Sequence, residues 1–290
     1  MTIPVSNRFG LLTGVRAHLT ARNFERNILM TVISESRYTY ESGVKTLGTV
    51  VISRLDGVEL ILSTPAADRG LWEEFLHGAY ESYCQHGAQA ALDLSAVREG
   101  TSTSLFYALV EQGRVIGGVR AQGPYTCASQ SHALVEWAGN AGYVQIRNAI
   151  AARIPGGVVE MKSAWVSPNA LRPQQLAGAL ARVALPTMER LHSRYVMATA
   201  ADHVLARWES SGGRVDPSVP ATAYPDSRYR TRIMWWDRGT LHADADPIVW
   251  RRMWAEHEAL CRSSALGSAH AVKSQPPVFR NVSVELPLVS

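Results

Sequence analysis

The chain has 290 residues, which is long enough for one large domain or two small ones with a buried core. It is 46% hydrophobic and 19% charged, as soluble globular proteins are, and no stretch approaches the ~18 apolar residues of a membrane span. The net charge is +4, but the basic side chains are scattered rather than interleaved with aromatic ones, so we do not expect nucleic-acid binding.

The three cysteines, Cys84, Cys127 and Cys261, are widely spaced and form no paired metal-ligand pattern. Reduced thiols in a cytoplasmic protein are the default for such a set. The first ten residues contain no apolar run, so we expect no secretory signal. No base is readable beside Cys127, which disfavours a covalent cysteine mechanism.

The first third of the chain predicts a helix, a hairpin and a second helix. Residues 1–45 carry a weak helical pattern and are interpreted as an N-terminal helical extension. Two β-rich runs flank Asp56 and Gly57, a strong signal for a hairpin. Asp68 is placed to cap an amphipathic helix that ends near His86.

A second hairpin is predicted from two further β-rich runs, residues 104–110 and 115–120. Gly117 and Gly118 lie inside its return strand, which indicates a bulge or a close approach to the backbone. A polar and aromatic insert follows, and residues 143–153 are predicted to form a helix.

The central part of the chain reads as strand, loop, helix and strand. Residues 158–166 predict a strand that is broken at Ser167, and residues 194–201 predict a second strand. Apolar side chains recur at helical spacing between them, at Leu176, Leu180, Val183, Ala184 and Leu191. A helix that opens from such a loop offers unpaired N–H groups and a positive dipole end to a phosphate.

The last part predicts a short helix at residues 203–210, a proline-rich connector and a strong strand at residues 230–237. Asp246 and Pro247 open a C-terminal helix. Residues 263–290 are interpreted as a loosely ordered tail, in which the run VSVEL could add a strand. The whole order predicts an α/β (α+β) fold, with a mixed sheet and helices on both faces.

This order resembles that of the GNAT-type N-acyltransferases over about residues 57–237. The run LFYALVEQGRVIGGVR resembles the second and third strands of these enzymes, and VVEMKSAWVSP resembles the fourth strand with its pyrophosphate loop. The Glu-then-Val pattern is similar to acyl-homoserine-lactone synthases and N-acyl amino acid synthases, which take acyl groups from acyl carrier protein. Of the family's loop signature, Arg/Gln-x-x-Gly-x-Gly/Ala, Gln175 and Gly178 keep the first half, as carrier-protein users also tend to do.

The resemblance implies a GNAT-like mixed, mostly antiparallel sheet with a splayed strand pair. It implies three segments: the N-terminal extension at 1–45, an acyltransferase domain at 46–240, and a C-terminal helix and tail at 241–290. The implied activity is transfer of an acyl group from acyl-CoA or acyl-phosphopantetheine to a primary amine, such as an amino acid or a peptide amine. Acyl carrier protein becomes a candidate partner, and no metal is expected. The alternative is a non-catalytic module that only holds an acyl group or CoA.

The donor site implied by the family lies around the loop and the helix start. The residues that match it are Trp165, Val166, Arg172, Gln174, Gln175, Ala177 and Gly178. The phosphate would rest on the N–H groups near residues 174–178, with help from Arg172. The alternative is that these residues simply start an amphipathic helix and Arg172 is a surface cation.

Two glutamates are candidates for the general base. Glu160 stands in an apolar run, where a carboxylate is costly unless it is partnered or used. It could instead face solvent or pair with Arg120 or Lys162. Glu136 is the rival base, because the insert that carries it would overhang the acceptor pocket.

His203 follows the fifth strand of the family pattern, where a general acid for the leaving thiolate is often placed. Its alternative is a helix cap formed with Asp202. Tyr229 and Tyr224 are weaker candidates for the same role, since aromatic side chains near a proline-rich turn more often serve packing.

Overall fold

The computed structural model describes residues 48–92 and 94–273. They contain one eight-stranded sheet. Its strands are β1 Val50–Leu55, β2 Val58–Ser63, β3 Leu105–Glu111, β4 Arg114–Gln122, β5 Val158–Val166, β6 Tyr195–Ala201, β7 Arg214–Val215 and β8 Thr231–Asp237. Their order in the sheet is β1-β2-β3-β4-β5-β6-β8-β7. In this sheet β5 and β6 run parallel, and every other neighbouring pair is antiparallel.

Helices cover both faces of the sheet. They are α1 Arg69–Gln85, α2 Leu94–Val97, α3 Ala133–Glu136, α4 Tyr143–Arg153, α5 Pro173–Ala181, α6 Ala184–Arg190, α7 Leu205–Ser210, α8 Leu241–Asp244 and α9 Pro247–Lys273. Helices α5, α6 and α9 pack on one face through Leu180, Met188 and Met253. Helices α1 and α4 pack on the other face through Phe75 and Ile146. None of the helices in the described residues is long and apolar enough to cross a membrane.

Both predicted hairpins are confirmed. Asp56 and Gly57 join β1 to β2 with φ of 49° and 87°, and Gln112 and Gly113 join β3 to β4 with φ of 49° and 77°. Two consecutive left-handed residues are typical of the type I′ turn, whose twist matches that of the flanking strands. Asp68 caps α1 as predicted, because its Oδ1 accepts a hydrogen bond from Leu71 N at 3.0 Å.

The predicted crowding at Gly118 is also confirmed. A Cβ on Gly118 would clash with Tyr107 O and lie 2.7 Å from Phe75 Cδ2. Gly178 in α5 provides a contrast, because a Cβ there meets no atom within 4 Å. The two glycines therefore form a matched pair for testing how tightly α1 packs on the sheet.

We expect Gly118→Ala to lower the free energy of unfolding by about 1–3 kcal/mol, because the added methyl group has no room. Gly178→Ala should leave stability unchanged or raise it by up to about 1 kcal/mol, since alanine is the better helix former. Urea unfolding of both variants checks this. Equal stability of the two variants would contradict the tight packing at Gly118.

The helical run that follows β5 differs from the prediction. The sequence pattern predicts one helix through Leu191, but the structure has α5 and α6, separated at Arg182 and Val183. Pro186 explains the break, because proline has no N–H to donate to the carbonyl of Arg182 and its ring crowds that carbonyl.

At the C-terminal end, α9 begins after Asp246, whose Oδ1 accepts a hydrogen bond from Ile248 N at 2.8 Å. The helix continues to Lys273, so the prediction of a loosely ordered tail from residue 263 is wrong for the first part of that segment. The helix predicted within residues 1–45 and the strand predicted at VSVEL lie outside the described residues.

The parallel pair at the centre of the sheet separates partway along its length. Pairing runs from Val158 and Tyr195 to Met161 and Ala198, and then stops. Both strands continue beyond that point, β5 to its end at Val166 and β6 to its end three residues past Ala198. The predicted mixed sheet with a splayed strand pair, the arrangement implied by the GNAT resemblance, is therefore confirmed.

A bulge in β5 coincides with this separation. Lys162 pairs with Arg120 and Trp165 pairs with Gly118, so two residues of β5 lie opposite one residue of β4. One of these two is Ser163, which has φ of 53° and is buried. The bulge turns β5 away from β6 at the place where the two strands part.

Candidate functional site

A cavity of about 520 Å³ occupies the space between the separated ends of β5 and β6. Its lining includes Met161 and Ala198 from one face of the sheet and Lys162 and Thr199 from the other. Neighbouring residues of a strand point to opposite faces. The cavity therefore passes through the sheet.

The two ends of the cavity differ in polarity. On the face covered by α5 and α6 most of the lining is apolar, and it includes Val119, Met161, Leu180, Val183, Val196 and Trp236. On the opposite face the lining includes Tyr83, Glu136, Lys162, Thr199 and Tyr224. An apolar chain and a polar group of one ligand could thus occupy opposite sides of the sheet.

The polar end is built around an ion pair between Lys162 on β5 and Glu136 on α3. Glu136 Oε1 also accepts a hydrogen bond from Thr199 Oγ1 at 3.1 Å and lies 3.2 Å from His132 Nδ1. Its other oxygen, Oε2, is buried and has no hydrogen-bond partner among the described residues.

Burial and charge act in opposite directions on this pair. Burial alone would raise the pKa of Glu136, but the Lys162 charge and hydrogen bonds from His132 and Lys162 outweigh it and hold that pKa at about 2. Burial would lower the pKa of Lys162, yet the charges of Glu136 and Glu160 raise it above its ordinary value. Both groups are therefore ionised at neutral pH.

Glu160, the first candidate base, is fully buried beneath this pair and is not among the residues that line the cavity. Its Oε2 accepts hydrogen bonds from Tyr125 Oη and Ser131 Oγ, both at 2.8 Å, and from His132 N at 3.0 Å. Its Oε1 accepts no hydrogen bond from a described residue and lies 3.6 Å from Lys162 Nζ, the ion pair that was one predicted alternative to catalysis. Its role as a base stays a prediction, and Glu136 is the carboxylate that lines the cavity.

Three potential metal ligands meet in the same cluster. Ligand atoms of His132, Glu136 and Glu160 lie within 4.8 Å of one another. The Lys162 ammonium lies 3.1 Å from His132 Nδ1 and is paired with both glutamates. The cluster thus contains its own cation, in the position that a metal ion would take.

His203 and Tyr229 both line the cavity, and their ring centroids lie 6.4 Å apart. Tyr229 Oη donates a hydrogen bond to the carbonyl of His86, another lining residue, at 3.1 Å. Asp202 does not cap its own turn but accepts a hydrogen bond from Arg232 Nε at 2.7 Å. The structure therefore brings the two predicted acids together, and their catalytic role stays a prediction.

The predicted donor residues divide into two groups. Trp165, Val166, Gln174 and Ala177 line the cavity, whereas Gln175, Gly178 and Arg172 do not. Arg172 instead forms an ion pair with Asp56 in the turn between β1 and β2.

Sequence reasoning missed Arg207 on α7, which lines the cavity together with the first turn of α5. No carboxylate of the described residues lies within ion-pair distance of its guanidinium. Tyr83, Thr199 and His132 were also missed as members of the polar end. Glu160 and Lys162 are two positions apart, so they lie on the same face of a strand. This pair of opposite charges was the signal that could have located the cluster.

No family model matches this chain. In fold it is similar to the N-acyl amino acid synthase FeeM from uncultured soil microbes, with a TM-score of 0.45 and 13% identity over 60% of this chain and 95% of that one. It is similar to the CoA-dependent acyl-homoserine lactone synthase BjaI, with a TM-score of 0.45 and 15% identity over 69% of this chain and 97% of that one. An acyl-CoA N-acyltransferase from Pseudomonas aeruginosa matches with a TM-score of 0.43 and 15% identity over 62% of this chain and 99% of that one.

Sequence relatives are much more similar. An uncharacterised protein of Mycobacterium tuberculosis strain H37Rv is 48% identical over 204 residues, which is 70% of this chain and 78% of the relative. An uncharacterised protein of Mycobacterium bovis matches with the same identity and coverage. The chain therefore belongs to the family of these mycobacterial proteins.

Proposed function

We propose that this protein is an N-acyltransferase that moves an acyl group from a thioester donor, acyl-CoA or acyl carrier protein, to a primary amine. The observation that carries the proposal is the cavity that passes through the sheet, apolar at one end and ionised at the other. Amide formation from a thioester needs such a site, because an apolar chain and a charged amine must meet at one carbonyl carbon.

The donor fits the gap between β5 and β6 by shape and by chemistry. Beyond Met161 and Ala198 the two strands do not pair, so their backbone groups can bond to an extended amide-containing arm such as pantetheine. The bulge at Ser163 adds backbone N–H groups that can polarise the thioester carbonyl. Helix α5 begins at Pro173, beside the lining residue Gln174.

Arg207 is the cation that we assign to the donor phosphate, in place of Arg172. It lines the cavity opposite the start of α5, and no described carboxylate pairs with it. Arg172 is already engaged by Asp56. A guanidinium and the first N–H groups of a helix together make a suitable phosphate site.

In the reaction, the amine nitrogen forms a bond to the carbonyl carbon and the carbon–sulfur bond breaks. Starting from an ammonium group, one proton passes to the departing sulfur and one is released to solvent water. We assign binding of the ammonium to Glu136, whose low pKa suits an anion better than a base. His203, with Tyr229 beside it, is the group that we assign to proton transfer at the sulfur.

A cytoplasmic location is part of the proposal. Cys84, Cys127 and Cys261 are free thiols in the structure, which fits a reducing compartment. Acyl carrier protein remains a candidate donor beside free CoA.

The test is release of free thiol from acyl-CoA donors of two to twelve carbons, each combined with a panel of primary amines, with product mass as a second readout. We expect thiol release that depends on the amine, and a product whose mass equals that of the parent carboxylic acid plus the amine less one water. Donor binding without thiol release for any combination, with acyl carrier protein donors included, would favour the non-catalytic module instead.

A further inference from the structure

The polar end of the cavity, called the acceptor end from here on, has a carboxylate oxygen that accepts no hydrogen bond from a described residue and a cation that is already paired. We propose that it binds a primary amine whose neighbouring carbon carries no carboxylate, so that free α-amino acids are excluded. This inference rests on the proposed function and narrows its acceptor class. The amine could belong to a small molecule or to a peptide, because the two share the same chemistry at the nitrogen.

The cation at the acceptor end is already engaged by two carboxylates. Lys162 forms ion pairs with Glu136 Oε1 and, at 3.6 Å, with Glu160 Oε1, and its Nζ lies 3.1 Å from His132 Nδ1. A ligand carboxylate brought to this end would therefore lie near two existing carboxylates that share a single ammonium group.

Arg120 is the other buried cation nearby, and it is also engaged. Its Nε donates a hydrogen bond to Ser163 Oγ at 3.3 Å, and its Nη1 donates to Thr103 Oγ1 at 3.3 Å. It is 5% exposed and does not line the cavity. It can hold the bulge of β5, but it cannot reach a ligand.

The anion at this end, in contrast, has an unused oxygen. Glu136 lines the cavity, and its Oε2 accepts no hydrogen bond from a described residue. Buried carboxylate oxygens are nearly always hydrogen-bonded, because an unsatisfied one is costly. Glu136 is only 3% exposed and Oε2 itself is buried, so contact with a ligand requires rotation about the carboxylate torsion, which is broad.

Aromatic side chains complete a site suited to a cation. Tyr83 and Tyr224 line the same end. The Tyr83 hydroxyl is close enough to Lys162 and Glu136 for their charges to act on its pKa, which burial raises. The Tyr224 ring meets His132 edge-on, with 6.4 Å between the centroids. Tyrosine faces attract ammonium groups, whereas they offer nothing to a carboxylate.

The experiment compares phenethylamine, phenylalaninamide and phenylalanine, which differ only at the carbon beside the amine. Binding of each to the full chain is measured by calorimetry without any donor, and acyl transfer is measured with a donor. An N-terminally free dipeptide serves as the peptide arm. We expect phenylalanine to bind at least about tenfold more weakly than phenethylamine and phenylalaninamide, since like charges brought together at a buried site repel each other.

Glu136→Gln is the variant that tests the contact, and Glu258→Gln, an exposed residue of α9, is its matched control. Glu136→Gln should remove most of the binding of phenethylamine, while Glu258→Gln should leave it unchanged. The wild-type comparison of the three ligands remains decisive if Glu136→Gln does not fold.

The outcomes separate this inference from the proposed function. Equal binding of phenylalanine and phenethylamine would overturn the inference, even if acyl transfer occurs. Selective binding of the two amines without any acyl transfer would support the inference and refute the proposed reaction. No binding of any of the three ligands would also overturn the inference.

Discussion

Replacement of Lys162 by methionine is expected to lower the free energy of unfolding by about 3–5 kcal/mol. The substitution removes the ammonium that pairs with Glu136 and lies 3.6 Å from Glu160. Two carboxylates would then remain buried without the ammonium group, with only the His132 ring beside Glu136. Removing one partner lowers the free energy of unfolding more than replacing both partners would, because an uncompensated charge stays inside the protein.

Chemical denaturation of the variant and of Arg69→Met provides the measurement. Arg69 pairs with Glu73 on the exposed side of α1, where loss of the pair should cost no more than about 1 kcal/mol. Adding Glu136→Gln to Lys162→Met should restore part of the lost stability, because one unpaired charge is removed. Lys162→Met with wild-type stability would mean that the cluster is not a buried ion pair.

Replacement of Ala198 by phenylalanine is expected to reduce acyl transfer at least about 100-fold while the protein remains folded. Ala198 is the last residue of β6 that pairs with β5, and it lines the cavity on its apolar side. A benzyl group there fills the passage through the sheet. The donor could then no longer place its carbonyl between the strands.

The matched control is Ala206→Phe, the same change at an exposed position of α7 that does not line the cavity. Binding of an acyl-CoA donor and the rate of thiol release are measured for both variants, with urea unfolding to confirm folding. Undiminished binding and transfer by Ala198→Phe would show that the donor does not pass through the sheet.

Local signals were sufficient to predict most elements of the fold. The pair Asp56 and Gly57 predicted a hairpin because both residues readily adopt the left-handed conformations that the turn requires. The bounds of α4 were predicted as they are found, at residues 143 and 153. Pro186 was an equally local signal for the break between α5 and α6, but the apolar periodicity around it dominated the interpretation.

The site was harder to predict, because its contacts join distant parts of the chain. Arg172 stands beside the predicted phosphate loop, yet Asp56, 116 positions earlier, forms its ion pair. Glu136 and Lys162 are 26 positions apart, so their pairing is a product of how α3 packs on β5. Sequence reasoning therefore identified both glutamates as candidates but could not tell which of them lines the cavity.

The early end of pairing between β5 and β6 has one further consequence. A sheet normally shows unpaired backbone groups only at its outermost strands, where they invite other chains to add on. Here two such edges lie inside the sheet, on either side of the cavity. A folded protein is too thick to enter the gap between the strands, so only a thin, extended molecule could pair with these backbone groups. The gap therefore selects its partners by their thickness, independently of their side chains.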